Sequence, residues 1–186
     1  MDRKWELRRD LKDRLASMTA GEKARLSRRI CERLAAIPEF SAARHVFAFM
    51  PLPVEPDILS LVAAHPEKRW SFPRVGSDSV LTFCCPGTLE EAPRGAFGIR
   101  EPGDHCPISD PSEAGIILVP GLGFDSTNRA RLGRGRGYYD RFLSGLNRVE
   151  RPVRIIGLGF DIQLETLVSE PHDQPMDRIV TESGLY

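Results

Sequence analysis

An α/β fold, a three-layer Rossmann-like sandwich with a mostly parallel central sheet flanked by helices, is predicted by three observations on this 186-residue chain. Residues 116–119, Ile-Ile-Leu-Val, form an aliphatic run with no polar alternation, as expected of a strand covered on both faces. Other strand-like runs alternate with segments of helical periodicity, the order that lays helices over both faces of a parallel sheet. The central strand gives way to a loop of glycine and arginine and then a helix, which suits a ligand at the carboxyl edge of such a sheet.

The elements follow in order. Residues 3–17 read as an amphipathic helix with Trp5, Leu7, Leu11, Leu15 and Met18 on one side. Lys4 and Arg8, four apart, share another face; like charges at that spacing repel mildly unless an anion lies between them, and a solvated surface is the plainer reading. Thr19-Ala-Gly-Glu22 is a capping box that opens a helix through about Ala35, with Leu26, Ile30 and Leu34 inward and Pro38 as its stop. Residues 45–50 form a buried strand, and a short helix follows Pro56. Glu55 lies just past that strand's end, either a helix-start charge or a site carboxylate. Residues 69–75 and 80–85 read as strands, and the Pro/Gly-rich span 86–111 as a long loop. After the central stretch, 153–161 repeats the Gly-Leu-Gly-Phe-Asp found at 121–125, which suggests two equivalent strand ends at one sheet edge. A last strand closes the chain.

Hydrophobic residues make up 41% and charged residues 28%, enough for one good core and a single domain spanning 1–186. Twenty-six basic and 26 acidic residues cancel, and a pI near 6.9 argues against a nucleic-acid binder. The charge is polarised, however: residues 1–33 hold eleven Lys/Arg against six Asp/Glu, and residues 161–186 hold one against six. Cys31, Cys84, Cys85 and Cys106 lack zinc-finger spacing and read as reduced thiols. With no apolar leader and no run of ~20 apolar residues, a cytoplasmic protein with no membrane partner is expected.

The chemistry concentrates between 129 and 141, where five arginines and one aspartate leave a local charge of +4. Gly133, Gly135 and Gly137 let backbone amides approach an anion, and guanidinium groups match phosphate oxygens in fork geometry. Tyr139, Phe142, Leu143 and Leu146 then recur at helical spacing. Neither GxxxxGK[ST] nor a full GxGxxG is present, so a phosphate cradle, an Arg-Gly RNA-binding segment and a structural loop all remain open. Asp140 reads as a helix-end charge or as a hard-cation ligand beside nucleotide phosphates.

Val-Pro-Gly-Leu-Gly-Phe-Asp followed by Arg-Leu-Gly-Arg-Gly-Arg-Gly-Tyr-Tyr-Asp-Arg-Phe-Leu resembles the signature of the 5-formyltetrahydrofolate cyclo-ligase (methenyltetrahydrofolate synthetase) family. One departure is Ser-Thr-Asn-Arg-Ala at 126–130, where the family has a shorter, glycine-containing linker. The resemblance implies ATP-dependent conversion of 5-formyltetrahydrofolate to 5,10-methenyltetrahydrofolate, with ATP and a reduced folate as ligands, magnesium as cofactor, and a monomer. It implies ATP contacts from Lys4 and Arg8, which fit the family's amino-terminal Lys/Arg pair, and from Arg131, Leu132, Gly133, Arg134, Gly135, Arg136, Gly137, Tyr138 and Tyr139. Met50 and Glu55 are implied to line the folate pocket with Arg134 through Tyr138. Phe97, in a Phe-Gly-Ile segment like the family's, either stacks near the pterin or plugs the space under a loop. Asp140 is expected to meet Asp173, of a late His-Asp segment, across magnesium. Arg134 and Arg136 are expected to handle the transferred phosphoryl, with Tyr138 touching a ligand or capping the pocket. A paralogue using this scaffold for another substrate, or for binding only, is the alternative.

Overall fold

The structure is a computed structural model that describes residues 3–76, 80–86, 102–103, 105–146, 153–168 and 173–186. The amino-terminal helix, α1 (Arg3–Ser17), buries Leu11 and Leu15. Trp5, expected on the same side, is 55% exposed and carries the Arg9 guanidinium 5.1 Å from its ring centroid. At 100° per residue it sits roughly 120° round the helix from Leu11, outside the buried stripe. The capping box before α2 (Ala20–Ala35) forms as predicted: the Glu22 amide donates to Thr19 Oγ1 at 3.2 Å, and the Thr19 amide donates to Glu22 Oε2 at 2.9 Å. Pro38 does more than stop this helix, because it occupies the first turn of α3 (Pro38–Ala42), where a missing N–H costs nothing.

β1 (His45–Phe47) is shorter than expected; Ala48 extends its ladder by one bond to Ser71, after which Phe49 and Met50 stay buried without pairing. Then come α4 (Leu59–Ala64), β2 (Arg69–Val75), β3 (Leu81–Cys84) and β4 (Ile116–Pro120). A hairpin, β5 (Gly123–Phe124) with β6 (Arg131–Leu132), leads to α5 (Tyr138–Ser144), β7 (Arg154–Leu158) and β8 (Arg178–Val180). The sheet order is β3-β2-β1-β4-β7-β8, and only the β2–β3 pair is antiparallel. Counted in chain order these six strands run 3-2-1-4-5-6, the doubly wound order whose direction of winding reverses between β1 and β4.

Both faces of the sheet are covered, which is why its strands read as unbroken apolar runs. Val46, Ile116, Leu118 and Ile156 pack on one face against Leu15, Ile30, Leu34 and Leu61 of α1, α2 and α4. Phe47, Ile117, Val119 and Ile155 pack on the other against Phe83 and, from α5, Leu143. Among the described residues no helix is long and apolar enough to cross a membrane. None of the four cysteines is in a disulfide.

The two Gly-Leu-Gly-Phe-Asp segments are not equivalent. Val119 pairs with Gly157 and Pro120 with Leu158, so the second copy begins inside its strand while the first begins after its strand has ended. Three of their four glycines serve one side chain: a Cβ on Gly121, Gly157 or Gly159 would fall 2.6–2.8 Å from the buried Phe124 ring, while one on Gly123 would meet Leu11. Gln163, fully buried, ties the copies together, donating to the Gly121 and Leu122 carbonyls at 2.8 and 3.1 Å and accepting from the Phe160 amide at 2.8 Å. The 126–130 linker turns on Asp125, which accepts from the amides of Thr127, Asn128 and Leu167. Burial pushes this carboxyl up, but those amides outweigh it and hold it below its usual value. Arg129 takes the left-handed conformation, φ 58°, that a glycine would adopt without strain.

Candidate active site

A cavity of about 280 Å³ opens where the winding reverses, at the carboxyl ends of β1 and β4. Phe49 and Met50 reach it because the chain leaves the ladder early after β1; Pro73, Val75 and Leu81 form an apolar wall from β2 and β3. Pro120 and Gly121 form the floor's edge, and the loop from Arg131 to Asp140 closes the remaining side.

Glu55 is the buried carboxylate of this cavity, 6% exposed. Its turn places it so: Oε2 accepts from the Leu52 amide at 3.0 Å, while Oε1 accepts from Arg134 Nε at 3.2 Å and Nη2 at 3.0 Å. Burial pushes its pKa up, and the Arg134 charge and Leu52 amide only partly offset this. Glu55 thus lines the cavity and does not cap the start of α4, which begins at Leu59.

Arg131 is buried too. Its register opposite Phe124 in the β5–β6 hairpin turns it inward, where Nη1 donates to the Pro120 carbonyl at 3.3 Å and Nη2 pairs with Asp140 Oδ1. Its guanidinium also lies 5.7 Å from the Tyr139 ring centroid. This arginine braces the loop against the end of β4 while lining the cavity. Leu132 likewise packs inward with Leu11, Ala130 and Leu167. Arg134 and Arg136 remain on the solvent side, with Gly135 and Gly137 at φ 101° and 66° allowing the turn between them. Gly137 caps α5, Arg136 donates to the Tyr138 hydroxyl at 3.3 Å, and Arg141 donates to the Arg136 carbonyl at 3.0 Å.

Helix α1 brings Arg8 to this loop, where its Nε donates to the Gly133 carbonyl at 3.0 Å, while Lys4 Nζ, four residues earlier, lies 3.7 Å from Asp173. The Lys4–Asp173 pair explains how the basic amino-terminal and acidic carboxyl-terminal segments meet. Phe97 lies outside the described residues, as does His172. Among the described residues no group of three or more metal-binding side chains gathers, but magnesium at a nucleotide takes only one or two carboxylates beside phosphate oxygens. Asp140 suits that role chemically, since it lines the cavity while Arg131 engages one of its oxygens.

A family model described as the 5-formyltetrahydrofolate cyclo-ligase family matches residues 1–182. The chain belongs to that family. It is 39% identical over 97 residues to a 5-formyltetrahydrofolate cyclo-ligase of Mycolicibacterium smegmatis, covering 52% of this chain and 47% of the relative. It is 26% identical over 189 residues to the Mus musculus 5-formyltetrahydrofolate cyclo-ligase, covering 96% and 93%. The matched region thus spans about half the length of the bacterial relative and nearly all of the mouse one. A solved structure of Aquifex aeolicus 5,10-methenyltetrahydrofolate synthetase superposes with a TM-score of 0.84 at 30% identity, covering 98% of this chain and 91% of that one.

Sequence reasoning did not find the Arg131–Asp140 pair, Gln163 or the internal role of Asp125. The only signal for the pair was nine-residue spacing between opposite charges, which acquires meaning only once the hairpin folds residue 131 back over the start of α5.

Proposed function

We propose that this cyclo-ligase family member converts 5-formyltetrahydrofolate to 5,10-methenyltetrahydrofolate, with ATP becoming ADP and phosphate, as a cytoplasmic, single-domain monomer. The observation that carries the proposal is the Glu55–Arg134 contact, which joins a buried carboxylate in an apolar cavity to the loop that presents arginines to solvent. A pterin-sized flat ring suits the cavity, and nucleotide phosphates suit the loop, so the two substrates meet at Arg134.

The formyl group is amide-like and a poor electrophile. Transfer of the terminal phosphoryl of ATP to the formyl oxygen turns that oxygen into a leaving group. Folate nitrogen 10 then attacks the formyl carbon, its proton is lost, the carbon–oxygen bond breaks, and phosphate departs to leave the methenyl bridge. No protein nucleophile is required; the work is positioning and neutralisation. Arg134 and Arg136 stabilise the migrating charge with donors fixed in advance, and Gly133 through Gly137 let the backbone approach it. Arg8, held beside this loop by α1, and Lys4 on the same helix bind the nucleotide. Met50 and Glu55 hold the folate. Asp140 and Asp173 would hold magnesium, which supplies neutralisation of phosphate charge when bound.

Incubation with 5-formyltetrahydrofolate, ATP and magnesium should yield the methenyl product, read by its absorbance, and omission of ATP or magnesium should abolish it. No product with ample enzyme would overturn this activity and leave a paralogue with another substrate or a binding role.

A further inference from the structure

Tyr139 stands apart from the other aromatic residues of the loop. Its neighbour Tyr138 is hydrogen-bonded to Arg136. The Tyr139 hydroxyl is buried and has no hydrogen-bond partner among the described residues, although the residue lines the cavity. Its ring cannot easily swing to find one: the Arg131 guanidinium lies 5.7 Å from its centroid, and Phe83 packs against it edge-on at 6.4 Å. Burial, and next the Glu55 charge, push the phenol well above its usual pKa, with Arg131 pulling only weakly the other way, so it keeps its proton. A neutral, rigid donor in an apolar cavity beside a carboxylate is a costly arrangement unless a ligand completes it, because a buried hydroxyl without a partner forfeits its hydration.

Resting on the proposed folate activity, we infer that the Tyr139 hydroxyl is a substrate-contacting group that donates to a carbonyl oxygen of the bound reduced folate, and that it is not a nucleotide ligand as its position in the arginine-glycine loop suggests. 5-Formyltetrahydrofolate carries two such acceptors near the reacting end, the pterin carbonyl and the formyl oxygen. An ionised Glu55 can only accept, and the nearby Arg131 and Arg134 donors are turned onto Pro120, Asp140 and Glu55, which leaves the Tyr139 hydroxyl as a donor not already engaged.

Tyr139→Phe removes the hydroxyl and keeps the ring. Equilibrium binding of 5-formyltetrahydrofolate without ATP should weaken about three- to tenfold, the range for one net neutral hydrogen bond. The KM for ATP should not change, and the melting temperature of the ligand-free protein should hold or rise, since an unsatisfied buried donor has been removed. Binding of tetrahydrofolate, which lacks the formyl group, should weaken equally if the acceptor is the pterin carbonyl and not at all if it is the formyl oxygen. Unchanged folate affinity, a raised KM for ATP alone, or a fall of several degrees in ligand-free melting temperature would each overturn the inference while leaving the proposed function in place. A wild-type protein that neither binds nor converts the folate would sink both.

Discussion

Two arginine–carboxylate pairs line the same cavity with their burial reversed. In the Arg131–Asp140 pair the arginine side chain is 5% exposed and the acid 29%; in the Arg134–Glu55 pair the acid is 5% exposed and the arginine 36%. Each pair therefore has one partner that has lost its water and one that has not. Desolvation is what makes a missing partner expensive, so the two pairs should respond to mutation at opposite ends. Arg131 needs Asp140 for the fold, whereas Glu55 and Arg134 face each other across the proposed meeting point of two substrates.

The largest expected effect follows at the first pair. Asp140→Ala strands a buried guanidinium, a loss of roughly 3–5 kcal/mol. For a chain of this size that is a fall of about 6–20 °C in melting temperature, measured without nucleotide or metal. Combining Arg131→Met with Asp140→Leu removes both charges and should recover most of the loss. If Asp140→Ala melts like the wild type, the pair is no brace and the contrast between the two pairs fails.

That contrast was not readable in the sequence. Arg131 and Arg134 are the same residue type three positions apart in one basic run, and nothing local says that 131 faces inward. The deciding fact is a two-residue strand pairing Arg131 with Phe124, far too short for alternation to show. The sheet was legible because strands covered on both faces must be continuously apolar, as 116–119 are, and the capping box before α2 is a local motif that needs no tertiary help. Trp5 was misplaced because an exposed aromatic near a helix start fits a loose apolar stripe as well as a buried one does. The repeated pentapeptide misled for a related reason: three of its glycines clear room for one ring, Phe124, and the two copies do not end their strands alike. The carboxyl edge of a doubly wound sheet made Glu55 a candidate, but only the family resemblance favoured that reading over a helix-start charge.

The second pair sharpens the comparison through activity. Arg134→Ala leaves the buried Glu55 carboxyl without its charged partner and should lower the melting temperature, but by less than Asp140→Ala does, because a carboxyl can take up a proton where a guanidinium cannot lose one. Turnover should fall about tenfold to a hundredfold, since charge-assisted hydrogen bonds are worth ~1.5–3 kcal/mol and these should strengthen as the phosphoryl group transfers. Steady-state kinetics decide it. A raised KM for ATP with unchanged turnover would reassign Arg134 to ground-state docking.

The smallest effect is also the most specific to the reversed burial. Because Glu55 titrates above its usual value near 4.5, the folded chain still holds a proton where the unfolded chain has released it. Its contribution to stability is therefore full below that usual value and is lost as pH rises through the raised one. Glutamine does not titrate, so Glu55→Gln should gain on the wild type as pH rises from about 4 to about 8, with the gain leveling off above the raised pKa. At neutral pH the net change should stay within about 1 kcal/mol, because the lost ion pair has a partner open to water. Urea unfolding of the ligand-free proteins across that range measures the difference directly. A deficit of several kcal/mol for Glu55→Gln at neutral pH, constant with pH, would mean that Arg134 fully offsets the burial of Glu55, and the two pairs would then be structural braces of one kind.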